Sequence, residues 1–146
     1  MFELNFNNAI LLSFIQIFIC IIFIFIGNSF AITIDEENEI KSIVNQQLEA
    51  FKNDDFEKAY SFASPTIKKM FSSPEVFRKM VIGGYQAVYR PQSIKIGSVE
   101  IIKGVATLKV YLVDPNGEFV TANYLMEQQE DGEWLIGGCI LSKAES

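Results

Sequence analysis

Histidine is absent from this chain of 146 residues. Its absence excludes Ser-His-Asp and Cys-His catalysis, histidine metal ligands and histidine proton shuttles. Cysteine is scarce, since the two residues are Cys20, in an apolar N-terminal run, and Cys139. If that run is removed, Cys139 is a lone cysteine and no internal disulfide can form. We therefore assign no catalytic residue and expect no metal site and no cofactor.

Basic runs are also missing, because Lys68-Lys69 and Arg78-Lys79 are the only basic doublets. The formal net charge at pH 7 is -6. An acidic domain repels the phosphate backbone, so we expect no nucleic-acid partner. The length gives room for one domain and a targeting segment.

A long hydrophobic run occupies residues 9–26. As a helix, it would span about 27 Å, close to the hydrocarbon thickness of a bilayer. Ser29 and Ala31 follow it with one residue between them, the small-x-small pattern of a signal-peptide cleavage site. We expect residues 1–31 to be a signal peptide cleaved after Ala31.

The same N-terminal segment has an alternative interpretation, because no Lys or Arg precedes the apolar run. It would then remain as an N-terminal membrane anchor, the only contact of the protein with a membrane. Both interpretations place residues 32–146, a single α+β domain, outside the cytoplasm. The protein would be periplasmic or secreted, or else anchored to the inner membrane.

Apolar residues change their spacing at residues 83–91. Before this stretch they recur at helical spacing, and after it they alternate as in strands. Thr33 and Glu36 predict a capping box at the first helix. Ser64-Pro65 and Ser73-Pro74 predict two later helix starts, each with serine as the N-cap. The first half therefore predicts four helices.

The second half predicts three hairpin turns, in which glycine supplies the left-handed conformation. The turns are Lys103-Gly104, Pro115-Asn116-Gly117 and Asp131-Gly132. Counting outward places Tyr124 opposite Cys139 and Met126 opposite Gly137, and a bulge at Gly97-Ser98 keeps the first strand in register. We predict an α+β fold with N-terminal helices packed on a curved four-stranded antiparallel sheet.

The register leaves an apolar patch on the sheet face that points away from the helices. The patch consists of Leu125, Trp134, Ile136 and Ile140. Exposed apolar patches mark association surfaces, so we hypothesise a sheet-to-sheet homodimer. The opposite face, which meets the helices, carries no carboxylate in this register.

Tyr85, Tyr89 and Arg90 form the cluster with the richest local chemistry. They could line a pocket mouth, with Arg90 binding a carboxylate or phosphate. Alternatively, the tyrosines pack between helix and sheet while Arg90 binds a local acid or backbone carbonyls. Tyr124 could donate inside the pocket or simply pack in the core, and Cys139 is expected to be a buried, inert thiol rather than a reactive one.

Several short stretches resemble the bacterial domain-of-unknown-function family 4864, of the nuclear-transport-factor-2-like superfamily that includes ketosteroid isomerases and SnoaL-type proteins. These stretches are Phe62-Ala63-Ser64-Pro65, Gly84-Tyr85, Val88-Tyr89-Arg90-Pro91, Tyr124-Leu125, Gln128, Asp131-Gly132, Trp134 and Gly138-Cys139. The resemblance spans residues 35–142 and implies a cystatin-like cone. Enzymes of that superfamily use an Asp or an Asp–His pair inside the cone, and this chain lacks the histidine.

These observations favour a non-catalytic exported module that holds a small apolar or weakly anionic ligand, or a protein partner. A membrane-associated structural or assembly protein is an alternative if the N-terminal run stays uncleaved. An isomerase or hydratase is another, if a helix-borne carboxylate such as Glu57 or Glu75 reaches the cone.

Overall fold

The computed structural model describes residues 31–143. The apolar run at residues 9–26, and with it the expected signal peptide or anchor, lies outside the described residues. Among the helices of the described range, none combines the length and the hydropathy that crossing a bilayer requires.

Helices occupy the first half of the described chain, as the spacing of apolar residues predicts. They are α1 (Ile34–Lys52), α2 (Phe56–Ser61), α3 (Pro65–Met70), α4 (Pro74–Gly84) and α5 (Gln86–Tyr89). Residues 31–143 thus hold five helices rather than the predicted four. The glycines end α4, but one further turn closes before Pro91, with the amides of Val88 and Tyr89 donating to the Tyr85 carbonyl.

The predicted helix caps are confirmed. The Thr33 hydroxyl accepts from the Glu36 amide, and the Glu36 carboxylate accepts from the Thr33 amide, which completes the capping box. Ser64 and Ser73 each accept an amide hydrogen bond at the start of α3 and α4. Short polar side chains therefore set where the helices begin.

Four strands follow and form one antiparallel sheet in the order β1-β2-β3-β4. The strands are β1 (Ser93–Ile102), β2 (Val105–Val113), β3 (Phe119–Gln128) and β4 (Trp134–Lys143). Glycines at the three predicted turns take positive φ, 81° at Gly104, 86° at Gly117 and 92° at Gly132. The predicted α+β fold class, helices followed by a four-stranded antiparallel sheet, is confirmed.

The predicted register holds over most of the sheet. Tyr124 lies opposite Cys139, and the first hairpin shifts between Ile96 and Val99, where the Gly97-Ser98 bulge was predicted. One pairing is wrong, because Met126 lies opposite Ile136 rather than Gly137.

Gly137 is the extra residue of an unpredicted bulge in β4, and a long-range contact explains it. The Ile136 amide donates to the Phe62 carbonyl over 2.8 Å, and the Ser64 amide donates to the Ile136 carbonyl over 2.9 Å. The chain before α3 therefore pairs with this part of β4. The extra residue moves the side chains of residues 134–136 to the opposite face of the sheet from the one predicted. Trp134 and Ile136 therefore point toward the helices.

The core lies between the helices and one face of the sheet. Ile40 and Val44 of α1 meet Leu108 and Val110 of β2 in one cluster, and all four are fully buried. The packing leaves a space near β4, and that space holds the candidate site.

Candidate functional site

A cavity of about 280 Å³ lies where α3 and α4 face strand β4. Its walls come from four helices, α1, α3, α4 and α5, and from β3 and β4. The lining residues are Gln47, Phe51, Ala63, Ile67, Met70, Phe71, Phe77, Met80, Val81, Tyr85, Val88, Tyr124, Leu125, Ile136, Gly137, Gly138, Cys139 and Ile140. No Asp, Glu, Lys or Arg of the described residues lines it. The cavity is therefore uncharged and largely apolar.

The mouth of the cavity is marked by two exposed apolar side chains. Met70, at the end of α3, is 62% exposed, and Ile140, on the edge strand, is 56% exposed. The inner wall contains Phe51, Ala63 and Tyr124, which are almost completely buried. The cavity thus runs from an apolar rim into the core.

Tyr124 carries the main polar group at the inner wall. Its side chain is 1% exposed, and its hydroxyl has no hydrogen-bond partner within residues 31–143. Burial raises the pKa of Tyr124 well above its ordinary value, so the hydroxyl keeps its proton. A buried hydroxyl normally has a partner, and the described residues supply none to this one.

Cys139 lies opposite Tyr124 on β4 and faces the same cavity. Burial raises the pKa of the Cys139 thiol to about 12. The thiol is therefore neutral at physiological pH and a poor nucleophile. This environment fits the expected inert thiol rather than a reactive one.

Tyr85, at the end of α4, lines the cavity. Its hydroxyl donates to the backbone carbonyl of Cys139 over 3.3 Å. The bond joins the end of α4 to strand β4. Tyr85 therefore shapes the wall, with its donor already engaged.

Tyr89 and Arg90, the other two residues of the predicted ligand site, do not line the cavity. The Arg90 guanidinium binds Asp54, with Nη2 2.8 Å from each carboxylate oxygen. Tyr89 donates to the same carboxylate over 2.6 Å, and Arg90 also donates to the Lys52 carbonyl. Of the two interpretations given for Arg90, these contacts match the second, in which it binds a local acid and backbone carbonyls.

The predicted dimer patch does not form as one surface. Trp134 and Ile136 are only 6% and 5% exposed, because the β4 bulge turns them toward the helices. Leu125 is half-buried, and Ile140 alone of the four is exposed. This part of the prediction is wrong, because turn counting assumed a regular strand. The homodimer itself stays a prediction.

The helix-borne carboxylates considered for catalysis lie elsewhere. Glu57 and Glu75 are exposed and line a separate surface depression with Arg78. The described part of the chain contains no group of three or more acidic or cysteine side chains placed to hold a metal ion.

Sequence reasoning missed the helical wall of the cavity, including Gln47, Met70 and Met80. Gln47 carried a usable signal, since it interrupts the apolar stripe of α1 between Val44 and Leu48. It is 3% exposed, and its amide donates to the Ala59 carbonyl over 3.1 Å. The methionines carried no such signal, because an amphipathic helix with a full core looks the same as one with a cavity.

Comparisons with known proteins gave one result. The chain matches no curated protein and no solved structure. The family model described as Domain of unknown function (DUF4864) matches residues 33–146, a range that contains the described helices, the sheet and the cavity. The chain belongs to this family of domains of unknown function.

Proposed function

We propose that this domain binds a small, largely apolar molecule in the cavity between α3, α4 and β4. One observation carries the proposal: the core leaves a cavity of about 280 Å³ whose lining, among the described residues, includes no charged side chain. Walls that face open space lose the contacts that packed atoms would make, so such a cavity favours a bound apolar molecule.

The shape and lining of the cavity support the same proposal. Ligand sites are concave and mostly apolar, with a few polar groups that orient the ligand. Such sites measure about 300–1,000 Å³. The present cavity, at about 280 Å³, is close to the lower limit of these volumes, and Met70 and Ile140 provide an apolar rim. The ligand would stabilise the domain by filling space that the core leaves open.

The proposal includes the setting of the domain. We propose that the segment before the domain directs export, by cleavage after Ala31 or as an anchor, as its apolar run and its Ser29–Ala31 pattern favour. We also propose a nuclear-transport-factor-2-like relationship for the fold. The order of helices before an antiparallel sheet, with a cavity between them, supports it.

The test is to purify the protein from its host under mild conditions and analyse it by native mass spectrometry. Organic extraction and mass analysis of the same sample then identify what was bound. A stoichiometric small molecule is the expected result. A ligand-free dimer or a complex with another protein would contradict the proposal and favour an interaction module.

Variants decide whether a detected molecule occupies the cavity. Cys139→Leu adds side-chain volume at the wall next to Tyr124 and should lower the occupancy at least tenfold. Leu141→Phe adds volume on the same strand and face but outside the lining, so it should keep the occupancy of the natural protein. Equal occupancy in both variants would place the molecule elsewhere.

A further inference from the structure

We propose that the open edge of strand β1 pairs with the same edge of a second copy of this chain. The two strands would run antiparallel, with the two-fold axis between Gly97 and Ser98, and would join two four-stranded sheets. In this register Lys95 lies opposite Glu100 of the second copy. No residue of β1 lines the cavity, so the inference does not depend on the proposed function.

The sheet has two edge strands, β1 and β4, and they differ in what covers them. Part of the β4 edge is occupied, because Ile136 exchanges hydrogen bonds with Phe62 and Ser64. Strand β1, which is 10 residues long, pairs with β2 on one side, and within residues 31–143 no strand pairs with its other side. An edge strand presents unpaired amides and carbonyls that can pair with another chain. Pairing β1 with β1 closes a dimer, whereas pairing β1 with β4 would produce an open chain of molecules.

The apolar side chains of β1 match one another in this register. Ile94 and Ile101 belong to the core face, since their partners on β2 are buried, yet they are 40% and 39% exposed. Across the two-fold axis, Ile94 lies opposite Ile101 of the second copy, and Ile96 lies opposite Val99. Pairing would therefore remove from water the apolar surface that the edge leaves exposed.

The charges on the other face of β1 match as well. Lys95 is exposed, and the Glu100 side chain is 46% exposed. Lys109 of β2 binds the Glu100 carboxylate over 2.9 Å, which leaves the edge side of Glu100 to Lys95 of the second copy. Opposite charges on directly facing residues stabilise a strand pair, and the dimer contains this pair twice. The two charges cancel within the edge, although the whole chain carries a net charge of -6.

The bulge at Gly97-Ser98 fixes the register. A bulge usually protects an edge, because it interrupts the alternation of side chains. Here both strands carry the extra residue at the axis, so the alternation continues in step on either side of it. A shift by one residue would set core-face side chains opposite outer-face ones. A shift by two residues in either direction would separate Lys95 from Glu100.

Helix α1 approaches the edge at the bulge. Lys41 and, as a smaller contribution, the Val99 amide hold the pKa of the Glu37 carboxylate below its ordinary value. The Val99 amide is therefore directed to α1. The backbone pairing then relies on residues 93–96 and 100–102, and these two stretches carry both the charge pair and the Ile94–Ile101 contact.

The experiment measures the dimer Kd by sedimentation equilibrium, on the protein as purified from its host. Lys95→Glu places a carboxylate opposite Glu100 twice, and Glu100→Lys places a cation opposite Lys95 twice. Each variant alone should raise the Kd about tenfold or more. In an equimolar mixture, each chain of one variant faces a chain of the other, and both pairs again have opposite charges. The mixture should therefore recover a Kd within about threefold of the natural value.

Two variants that make the same charge changes elsewhere are the controls. Lys143→Glu changes an exposed lysine at the end of β4, and Glu130→Lys changes an exposed glutamate at the last hairpin turn. Both should keep the natural Kd. Recovery in the mixture also shows that both edge variants are folded, because a misfolded chain could not restore the dimer.

Three results would overturn the inference. A natural protein that stays monomeric up to about 1 mM would show that the edge does not associate. A dimer that neither edge variant weakens would place the interface on another surface. A mixture that stays monomeric, when each variant alone has lost the dimer, would show that the two charges do not face each other. Ligand occupancy of the monomeric variants tests the proposed cavity function separately.

Discussion

Arg90 binds Asp54 through one guanidinium nitrogen, Nη2, which lies 2.8 Å from both oxygens of the carboxylate. Asp54 holds the left-handed backbone conformation, with φ of 56°, in the turn between α1 and α2. Tyr89 donates to the same carboxylate, and the Arg90 guanidinium lies over the Tyr89 ring, 4.3 Å from its centre. The contacts join α5 to this turn from a position 36 residues away in the chain.

Asp54→Asn tests whether this contact stabilises the fold. Asparagine accepts the left-handed conformation as readily as aspartate, so the change removes the charge and leaves the backbone preference. We expect a lower thermal midpoint at pH 7, by a small amount, because the Asp54 side chain is 58% exposed and solvent screens the pair. Glu130→Gln, which removes one exposed charge, is the control and should leave the midpoint unchanged.

The effect of Asp54 should depend on pH in one direction. The Tyr89 hydroxyl and then the Arg90 guanidinium hold the pKa of Asp54 below its ordinary 3.8. A carboxylate with a lowered folded-state pKa stabilises the fold fully above its ordinary pKa, and the contribution is lost as pH falls through the lowered value. The difference in midpoint between Asp54→Asn and the natural protein should therefore be constant above about pH 5 and shrink below 3.8. A difference independent of pH down to 2 would refute the ionic explanation.

Tyr124→Phe should stabilise the ligand-free protein. The substitution removes a buried hydroxyl that has no partner in the described part of the chain, and it keeps the ring. We expect the free energy of unfolding in urea to rise by about 1 kcal/mol. Tyr60→Phe is the opposite case, because the Tyr60 hydroxyl donates to the Phe71 carbonyl. This substitution should lower the free energy of unfolding by about 1 kcal/mol. Equal losses for both variants would show that Tyr124 has a partner in the protein.

The helix starts and most of the sheet could be predicted from sequence because their causes are local. Serine and proline set the start of α3 and α4, and glycine at the turns sets the hairpin registers. The bulge near Gly97 could also be predicted, because only an extra residue places Ile94 and Ile96 on the core face. Each of these features depends on residues within a few positions of one another.

The second bulge could not be predicted, because its cause is distant in sequence. Ile136 pairs with the segment around Ala63, and no local signal announces that pairing. Trp134 was therefore assigned to the wrong face. The candidate site also depends on contacts between residues distant in sequence. Tyr124 and Tyr85 line the cavity, whereas Arg90 binds Asp54. Only the packing of α1 against α5 brings Asp54 near Arg90, so the sequence alone could not identify this partner.

The thiol of Cys139 should make the fold less stable in alkali. Burial raises its pKa from 9.0 to about 12, so the unfolded chain loses the proton first as pH rises. The contribution of the protonated thiol is full below pH 9.0 and is lost as pH rises toward 12. Relative to Cys139→Val, which cannot ionise, the natural protein should lose roughly 2 kcal/mol of unfolding free energy between pH 8 and 10.5.

The same thiol should resist alkylation while the protein is folded. Iodoacetamide at pH 8 should modify Cys139 slowly in buffer and rapidly in denaturing urea, because the thiolate is the nucleophile. Peptide mapping by mass spectrometry separates this residue from Cys20. Fast modification of the folded protein, together with the same alkaline stability in Cys139→Val, would show that the thiol is exposed to solvent.

Gly97→Ala should destabilise the sheet because of space rather than backbone conformation. A Cβ atom at Gly97 would lie 2.7 Å from the carbonyl oxygen of Lys109 and 3.0 Å from the Tyr111 ring. The neighbouring strand would have to move, and such overpacking costs about 1–3 kcal/mol.

At Gly83, in the last turn of α4, a Cβ atom meets nothing within 4 Å. Gly83→Ala is therefore the matched control and should stabilise the protein by about 0.5–1 kcal/mol, since alanine favours the helix. Urea unfolding of both variants measures the two effects, and a neutral result for Gly97→Ala would mean that the first hairpin can absorb a side chain at its bulge without strain.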